Sequence, residues 1–434
     1  MKTNVAVSPT HVTHEGAPAK RITPTQELRR TIMACLLWED QFYESGASIA
    51  DRIAQLAATV PWGDVQQIAV EARTVAGVRH APLWLLVSAL ARPASDRAGW
   101  ATTFAQVCKR PDDVTEAVAL YWKGGRRPLA AQLKKGIALA LRSFNAYGLA
   151  KYNRDGAIKL RDVLFLSHAA PKDTEQAEVW KALVAGTLAA PDTWEVALSS
   201  GADKKATWER LLSEGKLGAL ALVRNLRNMV RDGVDRTLVS NALATMKTEL
   251  VWPYQFIAAE RHAPEFSSEI EEAMLRSLSS APKLAGRTML LVDTSGSMGA
   301  PLATRSDMLR HDAACGLAIL LREVCQSICI MAFDTHGRVI PARRGFGLRD
   351  ALGRPNGGTD IAGAKAWADA QGYDRLIIIT DEQSMTPLSA PKGRGYLLNV
   401  ASFKNGIGYG PWTHIDGWSD NTIRYIVAGE ARSE

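Results

Sequence analysis

The 434-residue sequence predicts a multidomain chain, an α-solenoid of helical repeats followed by a doubly wound α/β domain. Three observations predict it. From about Glu27 to Ser280, apolar residues recur three and four apart and Ala and Leu dominate, which is the period of an amphipathic helix. Near residue 285 this gives way to short apolar runs alternating with helical stretches, the pattern of an open, mostly parallel sheet with helices on both faces. Two of those runs end in carboxylates, Asp293 and Asp381, where such a sheet builds its site.

Taken in order, residues 1–20 are rich in Thr, Val, Pro and His and read as a flexible arm. They lack the apolar core, roughly 7–15 residues long, of a signal peptide. Residues 21–284 form the helical domain, with helical stretches such as Leu28 to Phe42, Val78 to Ala91, Leu129 to Tyr147 and Ala219 to Val230. Breakers at Gly46, Pro61-Trp62-Gly63, Gly124-Gly125 and Pro191 fall at helix-pair intervals. No strict repeat is visible, but helices of this length joined by short turns suggest a solenoid of HEAT type, with a compact bundle as the rival. Residues 285–434 form the α/β domain. Its predicted strands are Thr288–Asp293, Ile328–Phe333, Arg375–Thr380, Tyr396–Val400 and Ile423–Val427, with helices over Ser306–Val324 and Asp360–Gln371.

The run Asp293-Thr294-Ser295-Gly296-Ser297 ends the first strand and has the form Asp-x-Ser-x-Ser. One carboxylate and two hydroxyls at alternate positions can converge on a hard cation where the chain turns. Gly357-Gly358-Thr359-Asp360 opens a helix, and Thr380-Asp381 closes another strand. Ser295, Ser297 and Thr359 supply neutral oxygens; Asp293 and Asp381 act directly or through water. This suits Mg²⁺, which takes six oxygens and keeps some waters. The plainer reading is a strand-end Asp and Ser that cap the next segment. Together the three pieces resemble the metal-ion-dependent adhesion site of von Willebrand factor A domains, in which a partner's carboxylate completes the shell. There is no Gly-x-Ser-x-Gly elbow, no His-Glu-x-x-His and no Gly-x-x-x-x-Gly-Lys-Ser/Thr loop. The chain is therefore expected to bind rather than to catalyse.

The formal net charge is +7 and the pI about 9.1, a weak lean toward an anionic partner. The charge is concentrated. Residues 121–168 carry ten Lys or Arg and only two acids. On the helix there, Leu129, Leu133, Ile137, Leu141 and Phe144 form one stripe, with Lys134, Lys135 and Arg142 on the opposite face. Such a face can neutralise phosphates, and Tyr147, Tyr152 and His168 lie near enough to stack on bases. A solvated helix face is the plain alternative. A second stretch, Lys204 to Arg236, holds eight basic and four acidic residues. The cysteines Cys35, Cys108, Cys315, Cys325 and Cys329 are odd in number and without a Cys-x-x-Cys pair, which points to a reduced, cytoplasmic compartment. No run of about 18 apolar residues is present.

Several blocks resemble the TROVE module of the Ro autoantigen family. They are Leu36-Leu37-Trp38-Glu39-Asp40-Gln41-Phe42-Tyr43-Glu44-Ser45-Gly46, Gln132-Leu133-Lys134-Lys135-Gly136, Leu149-Ala150-Lys151-Tyr152-Asn153-Arg154, Leu160 to His168, and Ala219 to Met229. The α/β domain follows them, as in that family. The resemblance implies a ring of HEAT-like repeats closed by a von Willebrand factor A domain, in a bacterial or phage member. It also implies small noncoding Y-like RNAs on the ring's outer surface, single-stranded 3′ ends of misfolded or structured RNAs in its hole, and an exoribonuclease as partner. The family's Y-RNA contacts match Lys151 and His168. The basic residue expected four after that lysine meets Asp155, with Arg154 beside it as a substitute.

The expected function is therefore a noncatalytic, monomeric, cytoplasmic RNA-binding protein. Its expected RNA contacts are Lys134, Lys135, Arg142, Lys151, Arg154 and His168. A divalent metal is expected at Asp293, Ser295, Ser297, Thr359 and Asp381. The alternatives are a metal-dependent protein-binding module on a helical scaffold and, more remotely, a metal-dependent hydrolase acting on RNA.

Overall fold

The computed structural model describes residues 23–34, 45–153, 155–189, 194–199, 203–248, 251, 253–279, 283–302, 307–401, 406–408, 410–417, 423, 426, 427 and 430. The predicted arm, most of the Leu36 to Gly46 block, Pro191 and Arg154 lie outside them.

The first part is helical throughout, as its periodicity predicts. The helices are α1 (Pro24–Ala34), α2 (Gly46–Thr59), α3 (Trp62–Thr74), α4 (His80–Ser88), α5 (Trp100–Val107), α6 (Pro111–Tyr121), α7 (Ala131–Leu141) and α8 (Ala146–Tyr152). Next come α9 (Leu160–Ser167), α10 (Thr174–Ala185), α11 (Trp194–Ser199), α12 (Lys204–Ser213), α13 (Ala219–Arg231), α14 (Arg236–Thr245), α15 (Pro253–His262) and α16 (Ser267–Leu278). Many pack on the next helix but one: α2 on α4, α3 on α5, α5 on α7, α7 on α9, α12 on α14, α13 on α15 and α14 on α16. That is how stacked helix pairs share a core. The stretch predicted as one helix over Leu129–Tyr147 is two, α7 and α8, because Asn145 caps α8 by accepting from Gly148 N at 2.8 Å. The predicted stripe is inward: Leu133, Ile137 and Leu141 are fully buried.

The second part is a six-stranded sheet in the order β3-β2-β1-β4-β5-β6. Its elements run β1 (Leu284–Asp293), α17 (Arg310–Val324), β2 (Cys325–Phe333), β3 (Gly337–Ile340), α18 (Gly345–Leu352), α19 (Ile361–Gln371), β4 (Arg375–Thr380), β5 (Arg394–Asn399) and β6 (Thr413–Asp416). All pairs are parallel except β2 with β3. Alternate residues of the strands enter two cores. Leu290, Val292, Ile377 and Ile379 join the cluster with α15 to α17, while Met289, Leu291, Leu376 and Ile378 join α19 on the other face. Both faces are covered, which is why the central strands read as unbroken apolar runs.

Three sequence expectations are corrected. The short edge strands β3 and β6 were not foreseen. Within Ile423–Val427, read as a strand, the described residues Ile423, Ile426 and Val427 are helical. Helix α17 begins at Arg310, because Leu309 bridges to Pro301 instead. The Asp312 carboxylate accepts from Leu309 N at 2.7 Å and starts the helix there.

Both ends of the helical run touch the α/β unit. Helices α15 and α16 pack on α17 and α18, and α1 packs on β6. The α1 contact is polar and buried. Arg30 Nη1 donates to Glu382 Oε2 at 2.5 Å, and both side chains are buried. His414 of β6 hydrogen-bonds the other Glu382 oxygen and faces Asp416 at 3.4 Å. Glu382 holds a left-handed backbone, φ 63°. The chain closes around its carboxylate: a Cβ on Gly408 would lie 2.6 Å from Oε1.

Candidate metal centre and nucleic-acid interface

The carboxyl ends of β1 and β4 lie side by side, with Val292 opposite Ile379. From β1 the chain leaves to β2 on one side and returns to β4 on the other. That reversal is the topological switch point at which such sheets place their crevice. Asp293 closes β1 and Asp381 follows β4, both fully buried.

Asp293 is fixed from two directions. Its Oδ1 accepts from Ser295 N at 2.8 Å and its Oδ2 from the Thr380 hydroxyl at 2.6 Å. The Ser295 and Ser297 hydroxyls are 3.3 Å apart. Thr359 is buried, and its carbonyl accepts from the Ser384 hydroxyl at 3.1 Å. Gly296 N donates to Gly357 O at 3.0 Å and Asn356 N to Thr294 O at 2.8 Å, which ties the Thr359 loop to the β1 turn. Burial first, and the neighbouring Asp381 charge second, push the Asp293 carboxyl up to about 7. Two neighbouring carboxylates that are both buried favour a compensating positive charge.

Arg310, at the start of α17 and buried, supplies one positive group; its Nη1 lies 3.3 Å from Asp381 Oδ2. Two carboxylates with converging hydroxyls are also a donor set that fits a hard divalent ion with open positions. Among the described residues, no group of three or more His, Cys, Asp or Glu is arranged to hold a metal. Any such ion would thus depend on the hydroxyls of Ser295, Ser297 and Thr359. Reading the sequence missed two groups. Thr380 stands beside Asp381 in the quoted motif and could have been noticed, whereas Arg310 carries no local signal.

The cationic residues are more dispersed. Lys135 on α7 is exposed and Lys134 half-buried, Arg142 caps that helix and is exposed, and Lys151 lies in the last turn of α8. Arg142 has a structural tie as well, its Nε donating to Ala170 O at 2.9 Å. His168 is the left-handed C-cap of α9, φ 53°, and its backbone N–H bonds Phe165 O at 3.1 Å while the residue is exposed. Tyr147 is 55% exposed and open for stacking. Tyr152 is covered by Arg110 at 4.3 Å. In the second basic stretch, α13 and α15 enclose a cavity of about 570 Å³ lined by Arg224, Arg227, Asn228, Tyr254, Gln255 and His262.

Residues 173–283 match the model of the TROVE domain family. That match spans about a quarter of the chain. Telomerase protein component 1 of Mus musculus is 34% identical over 110 residues, 23% of this chain but 4% of that protein. The Rattus norvegicus protein of the same name is 34% identical over 99 residues, 21% of this chain and 4% of its own length. The crystal structure of the Deinococcus radiodurans RO (RSR) protein superposes with a TM-score of 0.62 at 18% identity, over 94% of this chain and 100% of that one. The chain thus has the fold of that Ro protein, and the expected TROVE resemblance is borne out over residues 173–283, which contain the Ala219 to Met229 block. Among the described residues, no helix is long and apolar enough to cross a membrane.

Proposed function

We propose that this chain is a noncatalytic RNA-binding protein of the Ro type. The observation that carries the reading is the inward apolar stripe of α7 with Lys135 and Arg142 turned outward, in a chain whose residues 173–283 match the TROVE domain. A helix docked by Leu133, Ile137 and Leu141 presents its cations on a rigid base. Phosphates bound there release counterions, so affinity falls steeply with salt. Contact between both ends of the helical run and the α/β unit supports a ring of HEAT-like repeats closed by a von Willebrand factor A-like domain. On this reading Y-like small RNAs bind the outer cationic face through Lys134, Lys135, Arg142, Lys151, Arg154 and His168. Single-stranded ends of misfolded or structured RNAs enter the hole, and an exoribonuclease is the partner that processes them.

The buried Asp293 and Asp381 pair favours a second role for the same molecule. Asp293, Ser295, Ser297, Thr359 and Asp381 would hold Mg²⁺, whose open position would accept a carboxylate from a protein partner. That role becomes the alternative function if RNA proves irrelevant.

The test is recovery and sequencing of RNA bound to purified protein, beside a variant with Lys134, Lys135 and Lys151 all changed to Glu. Discrete small RNAs lost from the variant support the reading. In a filter-binding titration, the triple variant is expected to lower affinity by about tenfold or more and to flatten the salt slope. Equal bulk RNA in both proteins shifts the assignment to the protein-binding module.

A further inference from the structure

A second cationic and aromatic feature lies apart from the α7 face. The turn Trp122–Leu129, between α6 and α7, and the end of α4 enclose a cavity of about 560 Å³. That size is within the roughly 300–1,000 Å³ of small-ligand sites. Trp84 and Tyr121 line it, with Lys123 and Arg127 beside them. The aromatic groups are pinned: Trp84 Nε1 donates to Ala50 O at 2.8 Å and the Tyr121 hydroxyl to Pro128 O at 3.2 Å. The cations sit on rings, Arg127 4.2 Å from the Tyr121 centroid and Lys123 Nζ 5.6 Å from that of Trp84. Among the described residues, no carboxylate pairs with Arg127 or with Arg126, which lies on Trp122 at 4.9 Å. The Ser88 hydroxyl also lines the cavity, is buried, and has no hydrogen-bond partner among the described residues.

We infer that this cavity receives one unstacked nucleotide of a single-stranded RNA. The inference rests on the reading that the chain binds RNA. The ligand must carry a flat face to stack on the Arg127 guanidinium plane that Tyr121 backs, negative charge for the guanidinium and ammonium groups, and a polar edge toward the Ser88 hydroxyl. A nucleobase with its phosphate has all three, and every base offers a π-face, so the pocket takes bases without reading sequence. An acidic peptide satisfies the charge but offers no flat face to the guanidinium plane over Tyr121. The loop before α7 would then hold a strand whose neighbouring phosphates run on to the α7 cations.

Three labelled probes test this by fluorescence anisotropy on the full chain: a ten-nucleotide oligouridylate, an abasic ten-mer with the same phosphates, and a fully paired RNA hairpin. The natural protein is expected to bind oligouridylate at least about fivefold more tightly than the abasic strand. Lys123→Ala with Arg127→Ala is expected to weaken oligouridylate binding about tenfold and leave the hairpin unchanged. Ser88→Ala, too small a change to disturb folding, is expected to weaken oligouridylate binding about threefold and abasic binding not at all. Equal binding of oligouridylate and abasic strand, with the hairpin still bound, overturns the nucleotide pocket and leaves the RNA reading standing. Oligouridylate binding untouched in both variants does the same, as does its displacement by a ten-residue polyglutamate at equal concentration. If the natural protein binds neither the hairpin nor oligouridylate, the RNA reading itself fails and the pocket assignment falls with it.

Discussion

Asp293 shows how a single residue is tuned by position. Its carboxyl is pushed up to about 7 by burial and by Asp381. Raised above the ordinary value of 3.8, it favours the protonated fold. Without a cation it therefore takes stability away as pH rises from about 4 through 7. A divalent ion reverses the sign, because it binds the ionised form and competes with the proton. Mg²⁺ or Mn²⁺ affinity by calorimetry is expected to be about tenfold weaker at pH 6 than at pH 8, since about a tenth of the carboxyl is ionised at the lower value. Asp293→Asn should abolish both the binding and its pH dependence. Full metal affinity in that variant would exclude Asp293 as a ligand.

Gly136 makes the corresponding point for an element. In a helix interior, Ala normally stabilises over Gly by about 1 kcal/mol. Here α7 crosses α5 so closely that a Cβ on Gly136 would lie 2.9 Å from Phe104 Cδ1 and 3.0 Å from Trp100 Cζ3. Those rings are stacked on each other at 5.0 Å and cannot easily give way. Overpacking of this kind costs about 1–3 kcal/mol and outweighs the propensity gain. Gly136→Ala is expected to lower the Tm, and a rise would show that the rings move.

At this scale the sequence was legible where information is local. Apolar periodicity marks α7 and α13, and the unbroken apolar runs mark β1, β2 and β4. The Asp-x-Ser-x-Ser turn was readable because three of its groups lie within five residues. The four-residue edge strands β3 and β6 expose part of their length and carry no clear run. A short apolar run such as Ile423–Val427 cannot be told from a buried helical turn by period alone.

For the whole molecule, the decisive contact is the one between α1 and the α/β unit. Burial alone would raise Glu382, yet the charges of Arg30 and His414 outweigh it and hold the carboxyl near 2. Burial would likewise lower His414, but Asp416 and Glu382 lift it to about 9. The Glu382 contribution is present above about 4.5 and is lost as pH falls toward 2. The His414 contribution is full below about 6.5 and is lost as pH rises through about 9. Denaturant unfolding followed against pH should therefore show stability falling between pH 7 and 10, and His414→Asn should flatten that limb. Arg30→Ala leaves a buried carboxylate without its guanidinium and is expected to cost about 3–5 kcal/mol. No reading of local pattern could have paired Arg30 with Glu382, which lie 352 residues apart.

That separation has a consequence during synthesis. At roughly 5–20 residues per second, Glu382 is made about 18–70 s after Arg30. Helix α1 is the first of the described helices to be made, long before its partner on the α/β unit. Throughout that interval the guanidinium is without the Glu382 carboxylate, and α1 leans on α2 and α3. The contact between α1 and the α/β unit thus forms late, timed by synthesis of Glu382 and β6.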